Sequence, residues 1–150
     1  MNDEMTWAEK IKYIFDKKKE LPGGDKMSDK MDKCIKFVSA DNDKKEYEVE
    51  VKIEKWMENP RNELHGGVCC TLFDTTMGHA AAAAVTSRKL ATVDLYTDFI
   101  ARMPGTETLV IKTKIIKAGR TFIRVSAEAY SKESGKLIAS SASNFTVLNG

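Results

Sequence analysis

Three cysteines, three prolines and two histidines among 150 residues leave several chemistries without the side chains they need. Cys34, Cys69 and Cys70 are odd in number and two are adjacent, which is poor material for a disulfide framework and fits a reducing compartment. His65 and His79 stand at no metal-ligand spacing, and His79 reads as structural. Charge of one sign is missing too: 24 basic against 22 acidic side chains give +2, without the one-sided field that nucleic-acid binders use. The longest wholly apolar stretch, Ala80 to Val85, is too short to span a bilayer. The opening MNDEMTWAEK has acids where a signal peptide has bases, and no apolar run. The expectation is a cytoplasmic protein with neither nucleic acid nor membrane as partner.

What is present suffices for one domain. With 42% hydrophobic and 31% charged residues, a chain of this length can bury a core without metals or disulfides. Thr6-Trp7-Ala8-Glu9 has the form of a capping box, so a helix should start there. Trp7, Ile11, Ile14 and Phe15 share one of its faces, Lys17, Lys18 and Lys19 suit the negative end of its dipole, and Leu21-Pro22-Gly23-Gly24 ends it. The next segment, DKMSDKMDK, reads either as a short helical turn with Met27 and Met31 on one side or as a flap. From Cys34 the pattern changes to strands: Tyr47, Val49, Val51 and Ile53 alternate with charged residues at period two. Four more strands follow Val85, separated by MPG, KAGR and KESGK, with no room for helical crossovers, so the sheet is largely antiparallel. Residues 1–33 read as a helical segment packed on the domain formed by 34–150.

Between these strands lies a segment apolar all round: Val68, Cys69, Cys70, Leu72, Phe73, Met77 and the alanines from Ala80 to Ala84. Such a helix is normally buried, so sheet should wrap it. Asp74 is then conspicuous, because an ionised carboxylate there needs a partner or a use. It reads either as a working acid or as an internal hydrogen bonder to Thr71 or Thr75. Gly66 and Gly67 precede the first turn, where amides lack intrahelical partners and the dipole end is positive. They read either as a loop needing glycine dihedrals or as an oxyanion site. Eight residues of helix span about 12 Å, so one carbonyl cannot touch both Gly66 and Asp74. If both serve the same carbonyl, two antiparallel copies of the helix about a twofold axis are required.

The stretch NPRNELHGGVCCTLFD resembles the signature of the hotdog-fold acyl-CoA thioesterases, particularly the phenylacetate-degradation (PaaI-like) branch. The family has an asparagine six positions before His-Gly-Gly and an aspartate nine after the histidine, matched by Asn59, His65-Gly66-Gly67 and Asp74. A Ser or Thr leading into the strand after the helix is matched by Thr92. Asn62 stands where the family usually has glycine, and asparagine tolerates the left-handed region well. The resemblance runs from Tyr47 to Leu148. It implies an α+β hotdog fold: a long central helix wrapped by a curved, largely antiparallel sheet of five to six strands, here with an extra N-terminal helix. It also implies homodimers formed by edge pairing, often tetramers, and hydrolysis of acyl-CoA to a free acid and coenzyme A. The Gly66 amide and Asn59 side chain of one protomer would polarise the thioester carbonyl, with His65 holding the loop. Asp74 of the other would act as nucleophile or general base, with Thr92 positioning water. A thiolate leaves readily, so neither metal nor other cofactor is expected.

Other features are read more plainly. Gly67, Lys117 and Arg120 are candidates for substrate or CoA contacts; the basic run Lys112, Lys114, Lys117, Arg120 and Arg124 also reads as a solvated strand edge. Cys69 and Cys70 read as small buried residues, and the turn at Met103 as topology alone. The N-terminal segment is expected to cover one mouth of the pocket. A rival of another class keeps the fold without the chemistry: a non-catalytic acyl-CoA-binding or regulatory protein. A hotdog dehydratase would need a histidine and carboxylate in a different order, which is not found.

Overall fold

The computed structural model describes residues 1–85 and 89–148. Helices α1 (Trp7–Glu20) and α2 (Met27–Cys34) lead into β1 (Ile35–Asp41) and β2 (Glu46–Lys52). The long helix α3 (Gly66–Val85) follows, then β3 (Lys89–Phe99), β4 (Thr108–Ala118), β5 (Phe122–Ser131) and β6 (Leu137–Leu148). One sheet holds all six strands in the order β1-β2-β4-β5-β6-β3, and every neighbouring pair is antiparallel. This is the hotdog arrangement.

Period-two patterning sets which face of the sheet meets α3. Val49 and Val51 on β2, Leu109 and Ile111 on β4, Ile123 and Val125 on β5 are wholly buried, as are Leu72, Phe73, Met77, Ala80 and Ala81 of the helix. The expectation of a helix enclosed all round needs one correction. A stripe at helical spacing, Gly67, Thr71, Asp74, Gly78, Ala82 and Val85, is not fully covered within the chain. By length and composition α3 would also suffice to cross a bilayer, a property that the Ala80 to Val85 stretch taken alone does not reveal; here the helix packs against sheet.

The amino terminus departs further from expectation. Thr6 and Glu9 form the full capping box: the Glu9 amide donates to Thr6 Oγ1 at 3.3 Å and the Thr6 amide to the Glu9 carboxylate at 2.7 Å. DKMSDKMDK resolves into helix α2, with Met31 on its buried side. Within one chain, no described residue of either helix lines the cleft described below. Trp7, Ile11 and Phe15 bury against the core, and the Trp7 indole donates to the Ala80 carbonyl at 3.1 Å. Alanines at that level of α3 let the indole approach the backbone.

Candidate active site

The loop before α3 is built around Asn59. Its side-chain oxygen accepts the amides of Arg61 (2.8 Å) and Glu63 (3.3 Å), while the Asn59 amide donates to the Glu63 carbonyl at 2.7 Å. With its oxygen committed to the loop, Asn59 has its side-chain amide left as donor, and behind Arg61 that amide also helps hold the Glu63 carboxyl down. Asn62 lies in the left-handed region at φ 57°, the conformation a glycine would otherwise supply. The loop is tied down on both sides: the Leu64 amide donates to Met103 O and the His65 amide to Met57 O, each at 2.8 Å.

His65 caps the helix. Its carbonyl accepts the Cys69 amide at 3.0 Å, the first helical bond, and its Nδ1 accepts the Gly67 amide at 2.9 Å. The Gly67 amide is thereby occupied, and of the other first-turn amides that of Gly66 belongs to the residue lining the cleft described next. The start of the helix is tightly packed: a Cβ on Gly66 would sit 3.3 Å from the Phe99 ring, which would have to give way. Gly66, Asn59, Leu64, Phe99, Met103 and Ile138 line a cleft of about 230 Å³, with Arg61, Glu63 and Arg102 at its polar side. Glu63 binds Arg61 Nε at 3.0 Å and Arg102 Nη1 at 3.2 Å; the Arg61 hydrogen bond first, then the Arg102 charge, hold its carboxyl below the usual range. Cys69 also lines the cleft, but burial pushes its thiol up to about 12, so it stays protonated and is no nucleophile.

Asp74 lies two turns further on, half-buried on the uncovered stripe. It does not bond Thr71, whose hydroxyl donates to its own helix at Gly67 O (2.9 Å). Instead Thr92 Oγ1 of β3 donates to Asp74 Oδ1 at 2.9 Å, across eighteen residues of sequence. Neither Asp74 nor Thr92 lines the Gly66 cleft. Within one chain, therefore, the amide donor and the carboxylate face different spaces, as the helical rise requires.

Some assignments made from sequence fall elsewhere. Lys117 lines a separate groove with Ile116, Gly119, Phe122, Arg124 and Asn144, and Arg120 is exposed in the β4–β5 turn. The cations at the rim of the Gly66 cleft are Arg61 and Arg102. The turn at Met103 does more than reverse the chain: Met103 is 2% exposed, lines the cleft and anchors the Asn59 loop through its carbonyl. Phe99 and Ile138 carried no sequence signal, because nothing local marks which strand ends converge on a helix terminus.

A long helix laid on a six-stranded antiparallel sheet, with glycines at its start and an aspartate–threonine pair two turns on, defines a hotdog protein. The chain belongs to the thioesterase superfamily, whose family model matches residues 62–138, and is thus a thioester hydrolase. It is similar to mouse acyl-coenzyme A thioesterase 13, at 30% identity over 131 residues, covering 87% of this chain and 86% of that protein. In fold it matches zebrafish thioesterase superfamily member 2, with a TM-score of 0.79 at 24% identity over 97% of this chain and all of that one. It also matches the Escherichia coli PaaI protein from the phenylacetic acid degradation operon, with a TM-score of 0.78 at 16% identity over 97% of this chain and 98% of that one.

Proposed function

We propose that the protein hydrolyses an acyl-CoA to the free acid and coenzyme A at a site assembled from two protomers. The carrying observation is that the Thr92–Asp74 pair and the Gly66 donor face separate spaces in one chain, while Asp74 lies on the uncovered stripe of α3. A second copy related by a twofold axis would bring each protomer's Gly66 amide and Asn59 side chain opposite the other's Asp74. The free edge of β3 supports that partner. It is eleven residues long, and Val93, Tyr96 and Phe99 are 52%, 67% and 60% exposed, an edge that a lone chain would have to protect. The similarity to a mouse acyl-coenzyme A thioesterase favours coenzyme A as the thiol.

In this reading the Gly66 amide and Asn59 Nδ2 stabilise the charge that develops on the thioester oxygen. Asp74 attacks the carbonyl carbon and expels the thiolate, forming a mixed anhydride that water then hydrolyses to the free acid, or it deprotonates a water that attacks the carbon directly. Thr92 donates its proton to Oδ1, which leaves Oδ2 for the reaction and the Thr92 lone pairs to accept from water. The leaving thiolate needs no strong acid, so the chemistry calls for no metal or other cofactor.

Thiol release across aromatic and medium-chain acyl-CoAs tests the activity, and subunit mixing tests the composite site. Asp74→Ala and Asn59→Asp homodimers should each be nearly inactive. Refolded together in equal amounts they should regain about a quarter of wild-type activity, because half the dimers are mixed and each mixed dimer has one whole site. Mixtures no more active than their parents would reject the two-protomer site.

A further inference from the structure

We propose that Asp94 is a positioning residue for this reaction, holding a β-bulge at Val93 that turns Thr92 toward Asp74. The inference rests on the reading of Asp74 and Thr92 as the reacting pair, and begins from the register of β3 on β6. Thr92 pairs with Phe145 and Asp94 with Asn144, so Val93 has no partner. In an unbroken strand, residues three apart face opposite sides of the sheet. Thr92 and Leu95 nevertheless share the α3 side: Thr92 reaches Asp74, and Leu95 packs against the core. Their partners on β6 agree. Phe145 and Ser143 are 2% and 0% exposed, and a Cβ on Gly78 of α3 would lie 3.7 Å from the Phe145 ring. The extra residue resets the alternation. With Leu95 and Thr97 kept in place and Val93 paired regularly opposite Phe145, Thr92 would move opposite Thr146 and face away from the helix.

A bulge interrupts the ladder, so something else must hold the strands at that point. Asp94 does so from the face away from α3. Its carboxylate accepts both the Asn144 backbone amide and Asn144 Nδ2, each at 2.8 Å. Its carbonyl accepts Ser143 Oγ at 2.6 Å, and Arg124 Nη1 donates to Asn144 Oδ1 at 3.3 Å. The Asn144 side chain and amide, helped by the Arg124 charge, keep the Asp94 carboxyl below its usual range. Asp94 contacts neither Asp74 nor the Gly66 cleft. Its influence passes through Thr92.

The test compares kcat and KM for octanoyl-CoA and phenylacetyl-CoA among Thr92→Ala, Asp94→Ala, Asp94→Asn and the Thr92→Ala/Asp94→Ala double variant. Asp94→Ala should lower kcat roughly tenfold to hundredfold, the cost of misplacing a reacting group by about an ångström, with KM little changed. Asp94→Asn keeps an acceptor for the Asn144 amide and should retain most of kcat. In the Thr92→Ala background, Asp94→Ala should have no further effect, because the group it positions is already gone. An equal loss in both backgrounds would mean general loosening and would overturn the proposal. So would parental kcat in Asp94→Ala alongside impaired Thr92→Ala. If Thr92→Ala itself keeps parental kcat, the reading of Thr92 has failed, and a crystal structure of Asp94→Ala decides the bulge separately. Loss of the Thr92–Asp74 hydrogen bond would uphold the proposal and an unchanged bond would refute it. Asp94→Ser, too short to reach both Asn144 donors, replaces Asp94→Ala in every comparison should that variant not fold.

Discussion

The two halves of α3 have the same length and similar hydropathy, yet they are used in opposite ways. Of the ten residues from Gly66 to Thr75 only Cys69, Leu72 and Phe73 are buried, whereas from Thr76 to Val85 six are: Thr76, Met77, His79, Ala80, Ala81 and Ala83. The first half starts at a cleft and carries Asp74 on its uncovered side. The second lies under α1, with Trp7 on the Ala80 carbonyl and Phe15 edge-on to His79 at 5.3 Å. Helical periodicity did not distinguish them, because both are apolar all round. What does is the neighbour each has been given: a pinned loop at one end, an amphipathic helix at the other. If that division is right, changes in the first half should act on turnover, and changes in the second on stability.

The largest effect should come from Asp74→Asn, which removes the charge and keeps the shape. Turnover is expected to fall about a thousandfold, within the range assigned to a positioned acid or base, with KM and thermal midpoint close to the parent's. Near-parental hydrolysis would take Asp74 out of the chemistry and leave the first half no more functional than the second. Asn59→Asp comes next. The substitution keeps the side-chain oxygen that accepts from the Arg61 and Glu63 amides, so the loop should survive. It replaces the donor with a negative charge facing a developing oxyanion, and kcat should drop about a hundredfold. An unaffected kcat would mean that Asn59 only shapes the loop.

How much of this was legible in the sequence follows the same division. The first half announced itself, because glycines at a helix start and one carboxylate in an apolar run are local oddities with few physical explanations. Sheet strands were equally readable: Tyr47, Val49 and Val51 alternate with charges and are all buried, as period two requires. The seat of α1 was not readable. Its apolar face shows that it packs, but many apolar surfaces would satisfy it, and only the tertiary structure chooses the alanine end of α3 over the cleft. Nor were Phe99, Met103 and Ile138, brought to Gly66 by strand order. The bulge at Val93 escaped for a subtler reason. LATVDLYTDF alternates imperfectly, and the break in its alternation has meaning only once β6 shows which residue lacks a partner.

On the second half the comparison sharpens with Trp7→Phe. This retains an aromatic ring near Tyr47, whose centroid lies 6.2 Å away, and removes the one donor to Ala80 O from α1. Loss of a buried hydrogen bond should cost about 1 to 2 kcal/mol in urea unfolding. Activity measured well below the unfolding transition should be unchanged. A fall in kcat without a fall in stability would show that α1 reaches the chemistry after all, and that the two halves are coupled.

The smallest effect expected is one of pH, and it belongs to His79. Burial, and secondarily the Lys18 charge, push its pKa down to about 3. The geometry explains why a second proton is unwelcome. Lys18 Nζ donates to His79 Nε2, so the ring's proton resides on Nδ1, which has no hydrogen-bond partner among the described residues. Protonating Nε2 would set an imidazolium against an ammonium, with Asp32 3.9 Å from that nitrogen and already paired to Lys18. In the unfolded chain the same imidazole titrates near its ordinary 6.5. The unfolded state therefore binds more protons below that value, and the His79 contribution to stability, whole above pH 6.5, is lost progressively as the pH falls toward 3. Between pH 7.5 and 5.5 the parent should lose about 1 kcal/mol more than a His79→Gln variant, whose side chain can still accept from Lys18. Equal slopes for the two would mean that the ring is hydrated enough to take its proton in the folded state, and that the α1–α3 contact is looser than the buried half of the helix requires.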